Sequence, residues 1–286
     1  MKKLTIFTPT YNRANKLFRL YCSLCAQRDK DFEWLIVDDG SMDNTEDIVR
    51  EWISENIITI YYYKQQNEGK MRAHNYGVSL TNTSYFVCVD SDDYLIDSAV
   101  EIICKSMNDI PSGISIGGII FLKTLQGQDI QQAKVSKKII TLHDLYDNGF
   151  NGETTIVFKT SVIKKFPFPV IEGEKFITES IVYDIIDVSY KYLYIPEEIT
   201  ICEYCEDGYT KNILELYKNN PCGYVNYFYQ KWEIYKNRIY REKAYSYTFL
   251  IKDLSKKKEY RKKFFTLSDK IFGFLRFIKM KYRYRS

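Results

Sequence analysis

Four times between Lys3 and Met107 an apolar run of strand length gives way to a segment with helical spacing, and this alternation constrains the fold more than any other feature. "KLTIFTP" (3–9) reads as a buried strand, and "RANKLFRLYCSLCAQ" (13–27) as an amphipathic helix with Leu17, Leu20, Tyr21 and Leu24 on one face. "FEWLIVDD" (32–39) is a second strand, and "MDNTEDIVREWISEN" (42–56) a helix opened by Asp43 or Asn44. "IITIYYYK" (57–64) and "GKMRAHNYGVSLT" (69–81) form a third pair; "SYFVCVD" (84–90) and "DSAVEIICKSM" (97–107) form a fourth. Such spacing predicts an α/β fold with a doubly wound, mostly parallel sheet, whose ligands bind beyond the C-terminal strand edges.

The rhythm changes after residue 113. "ISIGGIIFLKT" and "TTIVFKT" read as strands, "KFITESIVYDIIDVSYK" as a helix and "YLYIPEEITICEY" as a strand pair; from about residue 210 the pattern is helical, aromatic and basic. The expected division is a catalytic domain at 1–210, with a nucleotide-binding half (1–112) and an acceptor half (113–210). A helical region at 211–286 follows it.

Polar residues gather at the expected strand ends: Thr8 to Arg13 after the first, Asp38 to Ser41 after the second, Asp90 to Asp93 after the fourth. In "VDSDDYL" three carboxylates crowd into four positions with nothing basic among them. The bland reading is a solvated loop. Three such loops on one rim favour a site instead, and carboxylates at a strand end suit a hard divalent cation that shares its shell with a phosphate. Lys70 and Arg72 stand at a helix start, where the dipole also favours anions.

Charge divides unevenly. Residues 231–286 hold 18 Lys or Arg and 5 Asp or Glu, a net of +13, while the other 230 residues net −9. A basic tail suits an anionic partner, a membrane surface or a nucleic acid, against the plainer alternative of a solvated helix. Within it Phe264, Leu267, Ile271, Phe274, Leu275 and Ile278 recur at helical spacing, flanked by cations. That pattern is too short and too charged to span a bilayer and suits a helix in the headgroup region. The chain has no signal-peptide pattern, so the expected location is cytoplasmic, peripheral on the inner face of the membrane. Its seven cysteines are then expected to be reduced thiols; the pairs Cys22/Cys25 and Cys202/Cys205 read as core helix and strand residues rather than a shared zinc site.

"TPTYNRA" (8–14), "VDDGSMDNT" (37–45), "NEGKMRAHNYG" (67–77) and "VDSDD" (89–93), in this order, resemble the family 2 glycosyltransferases, inverting enzymes of the GT-A fold that use nucleotide sugars. "EKFITESIVYD" (174–184) and "EYCEDGYT" (203–210) are similar to later motifs of bacterial members that build surface polysaccharides. The resemblance implies a hexosyl- or N-acetylhexosaminyltransferase acting on a UDP-sugar with Mn²⁺ or Mg²⁺, and a glycan or polyprenyl-linked acceptor. By the same resemblance Thr8, Pro9, Tyr11 and Arg13 line the nucleoside pocket, Asp39 reads the uracil edge and Asp38 shapes its turn. Lys70 and Arg72 approach the diphosphate. Asp90 and Ser91 lie near the donor ribose or sugar, Asp92 is the metal ligand and Asp93 its supporting carboxylate.

One departure stands out. Family members commonly carry Glu-Asp where this chain has Glu179-Ser180, and the missing aspartate is often the assigned base. Glu179 is then the expected general base, with Asp184 one turn on as the substitute. His74 and His143 read as structural, although His74 could face the site. Two other readings compete: a nucleic-acid binder led by the aromatic, basic tail, and an inactive relative, which Ser180 would explain. A sugar-1-phosphate nucleotidyltransferase is disfavoured because "TPTYNRANK" has no glycine.

Overall fold

A computed structural model describes residues 2–125, 138–202 and 213–283. The first part runs β1 (Leu4–Thr10), α1 (Ala14–Cys25), β2 (Phe32–Asp38), α2 (Thr45–Glu55), β3 (Ile60–Lys64), α3 (Lys70–Leu80), β4 (Tyr85–Cys88), β5 (Tyr94–Leu95) and α4 (Ala99–Met107). Next come β6 (Ile116–Leu125), β7 (Ile139–Ile140), α5 (Leu142–Asp147), β8 (Thr154–Lys159), α6 (Thr160–Ile163), α7 (Ser180–Ser189) and β9 (Lys191–Cys202). The chain ends in α8 (Ile213–Asn219), α9 (Pro221–Tyr235), α10 (Arg238–Tyr247), α11 (Leu254–Phe264) and α12 (Leu267–Arg283).

The strands form one sheet in the order β3-β2-β1-β4-β8-β6-β9-β5, with β7 added to β9. Its first half, β3-β2-β1-β4, is wholly parallel, as the alternation requires. All seven residues of β1 are buried, the mark of a strand covered on both faces. The second half is mixed, because β8 runs antiparallel to both β4 and β6. The stretch expected as a strand pair around Pro196 is one strand, β9. Its register against β6 slips between Tyr194 and Glu198, so the proline, which has no N–H to give, falls in an irregularity and makes no turn.

Packing divides the chain into two compact units. Met1–Pro167 with Ser189–Cys205 holds the sheet, and Phe168–Val188 with Glu206–Ser286 holds the C-terminal helices. The boundary expected at residue 210 lies outside the described residues, as do the "EYCEDGYT" motif and Cys205. Residues 168–188, placed with the sheet on sequence, cluster instead with the helices that follow. None of the six described cysteines forms a disulfide among the described residues.

In the first unit Tyr21 of α1, Trp34 of β2 and Trp52 of α2 stack, Tyr21 lying 4.3 Å from Trp52 and Trp34 5.9 Å from it. Helix α3 approaches β1 so closely that a Cβ on Gly77 would sit 2.2 Å from the Phe7 ring. That contact fixes the height of α3, and with it the position of Lys70.

Candidate active site

Register gathers the polar loops. Thr10 stands opposite Asp38, Asp38 opposite Lys64, and Phe7 opposite Cys88, so the loops after β1, β2, β3 and β4 leave one edge of the parallel half. After β1 the chain turns through Asn12 at a φ of 52°, a left-handed conformation that asparagine tolerates. The Asn12 amide donates to Ser41 Oγ (2.8 Å), and its side-chain carbonyl accepts from the Met42 amide (2.8 Å). Asp43 accepts from the Ala14 amide at the start of α1 (3.1 Å) and from Thr45, joining the starts of α1 and α2. Burial opposes ionisation of Asp43, but these bonds hold its carboxyl below the ordinary value.

Thr8 and Pro9 are buried, and Thr8 Oγ1 accepts from the Trp34 indole (3.0 Å). Tyr11 is exposed and Arg13 half-buried at the cap of α1. Asp38 is fully buried and takes the Ser41 amide (2.7 Å) and the Tyr62 hydroxyl. Asp39 is nearly as buried. Oδ1 accepts from Gln65 Nε2 (2.8 Å) and the Glu68 amide (2.9 Å), and Oδ2 from the Gly69 amide (2.7 Å). Its carboxylate thereby fixes the loop that opens α3.

At the aspartate loop the structure supplies what the sequence did not display nearby: cations. Lys70 Nζ lies 2.8 Å from Asp90, and Lys123 Nζ, from β6, lies 2.9 Å from Asp93. Burial opposes ionisation of Asp90, yet the charges of Lys70 and Lys123 hold its carboxyl below the ordinary value. Burial also opposes the charge on Lys123, but Asp93, Cys202 and Asp90 hold that ammonium well above its ordinary pKa. Asp93 is buried, and burial with the charge of Asp90 pushes its carboxyl up against the pull of Lys123. Asp93, expected as a supporting metal ligand, is buried and pairs with Lys123.

Asp92 differs. It is half-exposed, and among the described residues its carboxylate has no hydrogen bond or ion pair; Arg19 reaches only its backbone carbonyl (3.5 Å) while lying over the Tyr94 ring. Ser91 beside it is buried. Among the described residues no three His, Cys, Asp or Glu side chains form a metal-binding group. Arg72 turns back onto its own loop, donating to the Glu68 carbonyl (2.8 Å). His74 is a core residue packed edge-on against Phe7 and Phe86.

Sequence reasoning missed Lys123. The signal was a lone cation in "IGGIIFLKTL", a strand with seven buried residues before it. An interior lysine there requires a carboxylate, and Asp93 is the one it finds.

In the second unit Glu179 is half-exposed immediately before α7, and its carbonyl accepts the Val182 amide (3.0 Å). The helix expected from residue 175 starts only at Ser180. Asp184, the substitute base, is buried and committed. It pairs with Lys231 of α9 (3.3 Å) and accepts from the Tyr235 hydroxyl (3.2 Å). The same ammonium lies over the rings of Tyr227, Tyr235 and Tyr240.

A parallel half-sheet with a buried turn aspartate, a helix-start lysine and an acidic loop at one edge is the frame of a nucleotide-binding α/β protein. Among solved structures it is similar to Staphylococcus aureus TarS 1-349, determined with UDP-GlcNAc (TM-score 0.61, 16% identity, 90% of this chain and 70% of that one). It is also similar to mannosyltransferase PcManGT of Pyrobaculum calidifontis, determined with GDP-Man and Mn²⁺ (TM-score 0.56, 16% identity, 99% and 81%). The fold is GT-A. The family model described as "Glycosyl transferase family 2" matches residues 5–167, and the chain belongs to that family.

Curated relatives include glycosyltransferase GlyA of Streptococcus pneumoniae serotype 4, 30% identical over 51% of this chain and 22% of its own length. Another is the poly(ribitol-phosphate) beta-N-acetylglucosaminyltransferase TarP of Staphylococcus aureus, 27% identical over 61% of this chain and 52% of its own. A third is the GalNAc(5)-diNAcBac-PP-undecaprenol beta-1,3-glucosyltransferase of Campylobacter jejuni, 27% identical over 59% and 55%. The chain thus spans 22% to 55% of the length of these relatives and is related to enzymes of cell-surface polysaccharides.

Proposed function

We propose that the chain transfers a hexose or N-acetylhexosamine, with inversion, from a nucleotide sugar, a UDP-sugar foremost, to a glycan or polyprenyl-linked acceptor of a surface polysaccharide. The observation that carries this reading is the contrast within the aspartate loop: Asp90 and Asp93 are clamped by lysines, and Asp92 is left free among the described residues. One free carboxylate fits Mn²⁺ or Mg²⁺ that completes its shell with diphosphate oxygens, and a metal so held would neutralise charge on the leaving diphosphate.

The protein's own groups then divide the work. Thr8, Pro9, Tyr11 and Arg13 line the nucleoside pocket, and Asp39 offers its remaining lone pair on Oδ2 to the uracil edge. Lys70 and Arg72 donate to diphosphate oxygens, while Asp90 and Ser91 meet the ribose or sugar. Glu179 takes the proton of the acceptor hydroxyl as that oxygen bonds to the anomeric carbon and the carbon–diphosphate bond breaks, so an α-linked donor gives a β-linked product. The second unit serves to hold the enzyme at the inner, anionic face of the membrane, a role supported by its basic charge and its exposed apolar side chains.

Calorimetric titration of UDP with and without Mn²⁺ tests the donor site. Metal-dependent binding is expected, and Asp92→Ala should abolish the metal dependence while its circular dichroism stays that of the parent. Equal binding by the variant and the parent, with and without metal, would overturn the reading.

A further inference from the structure

Helix α12 is held by one face only. Asp269 pairs with Arg241 of α10 (2.8 Å), Gly273 lies so close to α10 that a Cβ would be 2.8 Å from the Glu242 carbonyl oxygen, and Phe277 stacks on Phe249 (4.7 Å). Phe274, 47% exposed, also touches Phe249 (5.5 Å), and the opposite face carries Leu267, Ile271 and Leu275, which are 75%, 55% and 50% exposed. These three side chains of the apolar stripe read from the sequence are therefore not core. They are left open by a helix already anchored elsewhere.

Beside the start of that stripe lies a depression of about 390 Å³ lined by Leu254, Lys257, Lys258, Arg261 and Lys262 of α11 and Lys270 of α12. No carboxylate lines it, and among the described residues none of its four lysines has an ion-pair partner. Arg261 is fixed in place: Nε donates to Thr248 Oγ1 (3.0 Å) and the guanidinium lies 4.2 Å from the Phe249 ring centre. Its Nη2 is buried without a hydrogen-bond partner among the described residues. Burial and the neighbouring charge of Arg261 also hold the Lys257 ammonium below its ordinary pKa, so these cations repel one another as they stand.

We propose that this depression binds the phosphate of an anionic lipid headgroup, with Leu254 and Leu267 entering the membrane surface beside it. Both leucines are more than 70% exposed. A soluble phosphate would satisfy the cations but leave the leucines and the α12 stripe in water; a lipid surface covers both. The inference rests on the reading that the second unit meets the membrane, and it adds a built phosphate site to what charge alone would do.

Flotation of the full chain with vesicles tests it, using phosphatidylcholine alone, phosphatidylcholine with phosphatidylglycerol, and phosphatidylcholine with a carboxylate-headed lipid at equal surface charge. Binding is expected with phosphatidylglycerol, and weaker or none with the other two. The exposed pair Lys258→Gln/Lys262→Gln should reduce partitioning about tenfold or more. A charge-matched pair in the sheet unit, Lys105→Gln/Lys191→Gln, should reduce it less than about threefold. Equal losses from both pairs, or equal binding to the carboxylate lipid, would overturn the phosphate site and leave membrane binding standing. No flotation with any vesicle would overturn the membrane reading and the site together, with UDP titration still free to succeed. Displacement by glycerol phosphate at micromolar concentration, or tighter binding of a single-stranded oligonucleotide that the Lys258/Lys262 pair weakens, would assign the site to a soluble phosphate or a nucleic acid and overturn the lipid.

Discussion

Lys70 and Lys123 divide the aspartate loop between them, one holding Asp90 and the other Asp93. The division turns three like charges into two ion pairs and one carboxylate, Asp92, with no partner among the described residues. Lys123 comes from a strand 30 residues beyond Asp93 in sequence, so its pairing could not be read from the loop itself. Replacing it with Met leaves Asp93 buried and uncompensated, which costs about 3 kcal/mol by analogy with broken interior ion pairs. Urea unfolding is expected to show that loss, and Lys123→Met/Asp93→Leu to recover part of it. A single variant as stable as the parent would mean that Asp93 is already neutral. At this scale the sequence displayed the carboxylates and hid their partners, because cross-strand neighbours are set by sheet order and not by chain distance.

Elements were easier to read where one period dominates. β1, α1, β2, α2, α3 and α4 lie close to their expected spans, since a strand buried on both faces and an amphipathic helix each write a strong pattern. β9 was misread because proline usually signals a turn, and the two-residue strands β5 and β7 are too short to show a period. Helix α5 had a usable sign: Thr141 and Asp144 form a capping box, visible as T-x-x-D. The pairing of α7 with α9 bears on catalysis. Asp184 and Lys231 make a buried ion pair within the second unit, so Lys231→Met should lower stability by about 3 kcal/mol. Glu179→Gln should leave stability within about 0.5 kcal/mol of the parent while lowering turnover roughly a hundredfold or more. Stopped unfolding curves and steady-state rates on the same two variants separate the roles. If Glu179→Gln turns over like the parent, the proton acceptor lies elsewhere, and Ser180 regains importance.

Across the whole molecule, composition announced the basic C-terminal region but not which helix face it leaves open. No helix among the described residues is long and apolar enough to cross a membrane. The motifs fall on consecutive βα loops, which register brings to one edge of the sheet. Beyond the stretch 174–184 they said little of the second unit, where packing is built from aromatic side chains such as Tyr217, Tyr224 and Tyr247, whose ring centres lie 4.6 to 5.2 Å apart. Tyrosines in an amphipathic helix look alike in sequence whether they pack or face water.

The path of the chain between its two units also sets an order of assembly. The chain leaves the sheet at Pro167, contributes residues 168–188 to the helical unit, returns for β9, and departs again. β9 is the partner of β6, β5 and β7, so during synthesis the ten-residue edge of β6 stands open until residues 191–202 have emerged. An open apolar strand edge invites pairing with another chain. The span matched by the family model stops at residue 167, short of that strand. Expressed alone, residues 1–167 are expected to sediment as aggregates, whereas the full chain stays in the supernatant. A monodisperse, cooperatively melting fragment would show that β6 is protected some other way. Nascent chains of this protein therefore carry their greatest aggregation hazard after the recognisable part of the fold is complete, in the interval before the last strand arrives.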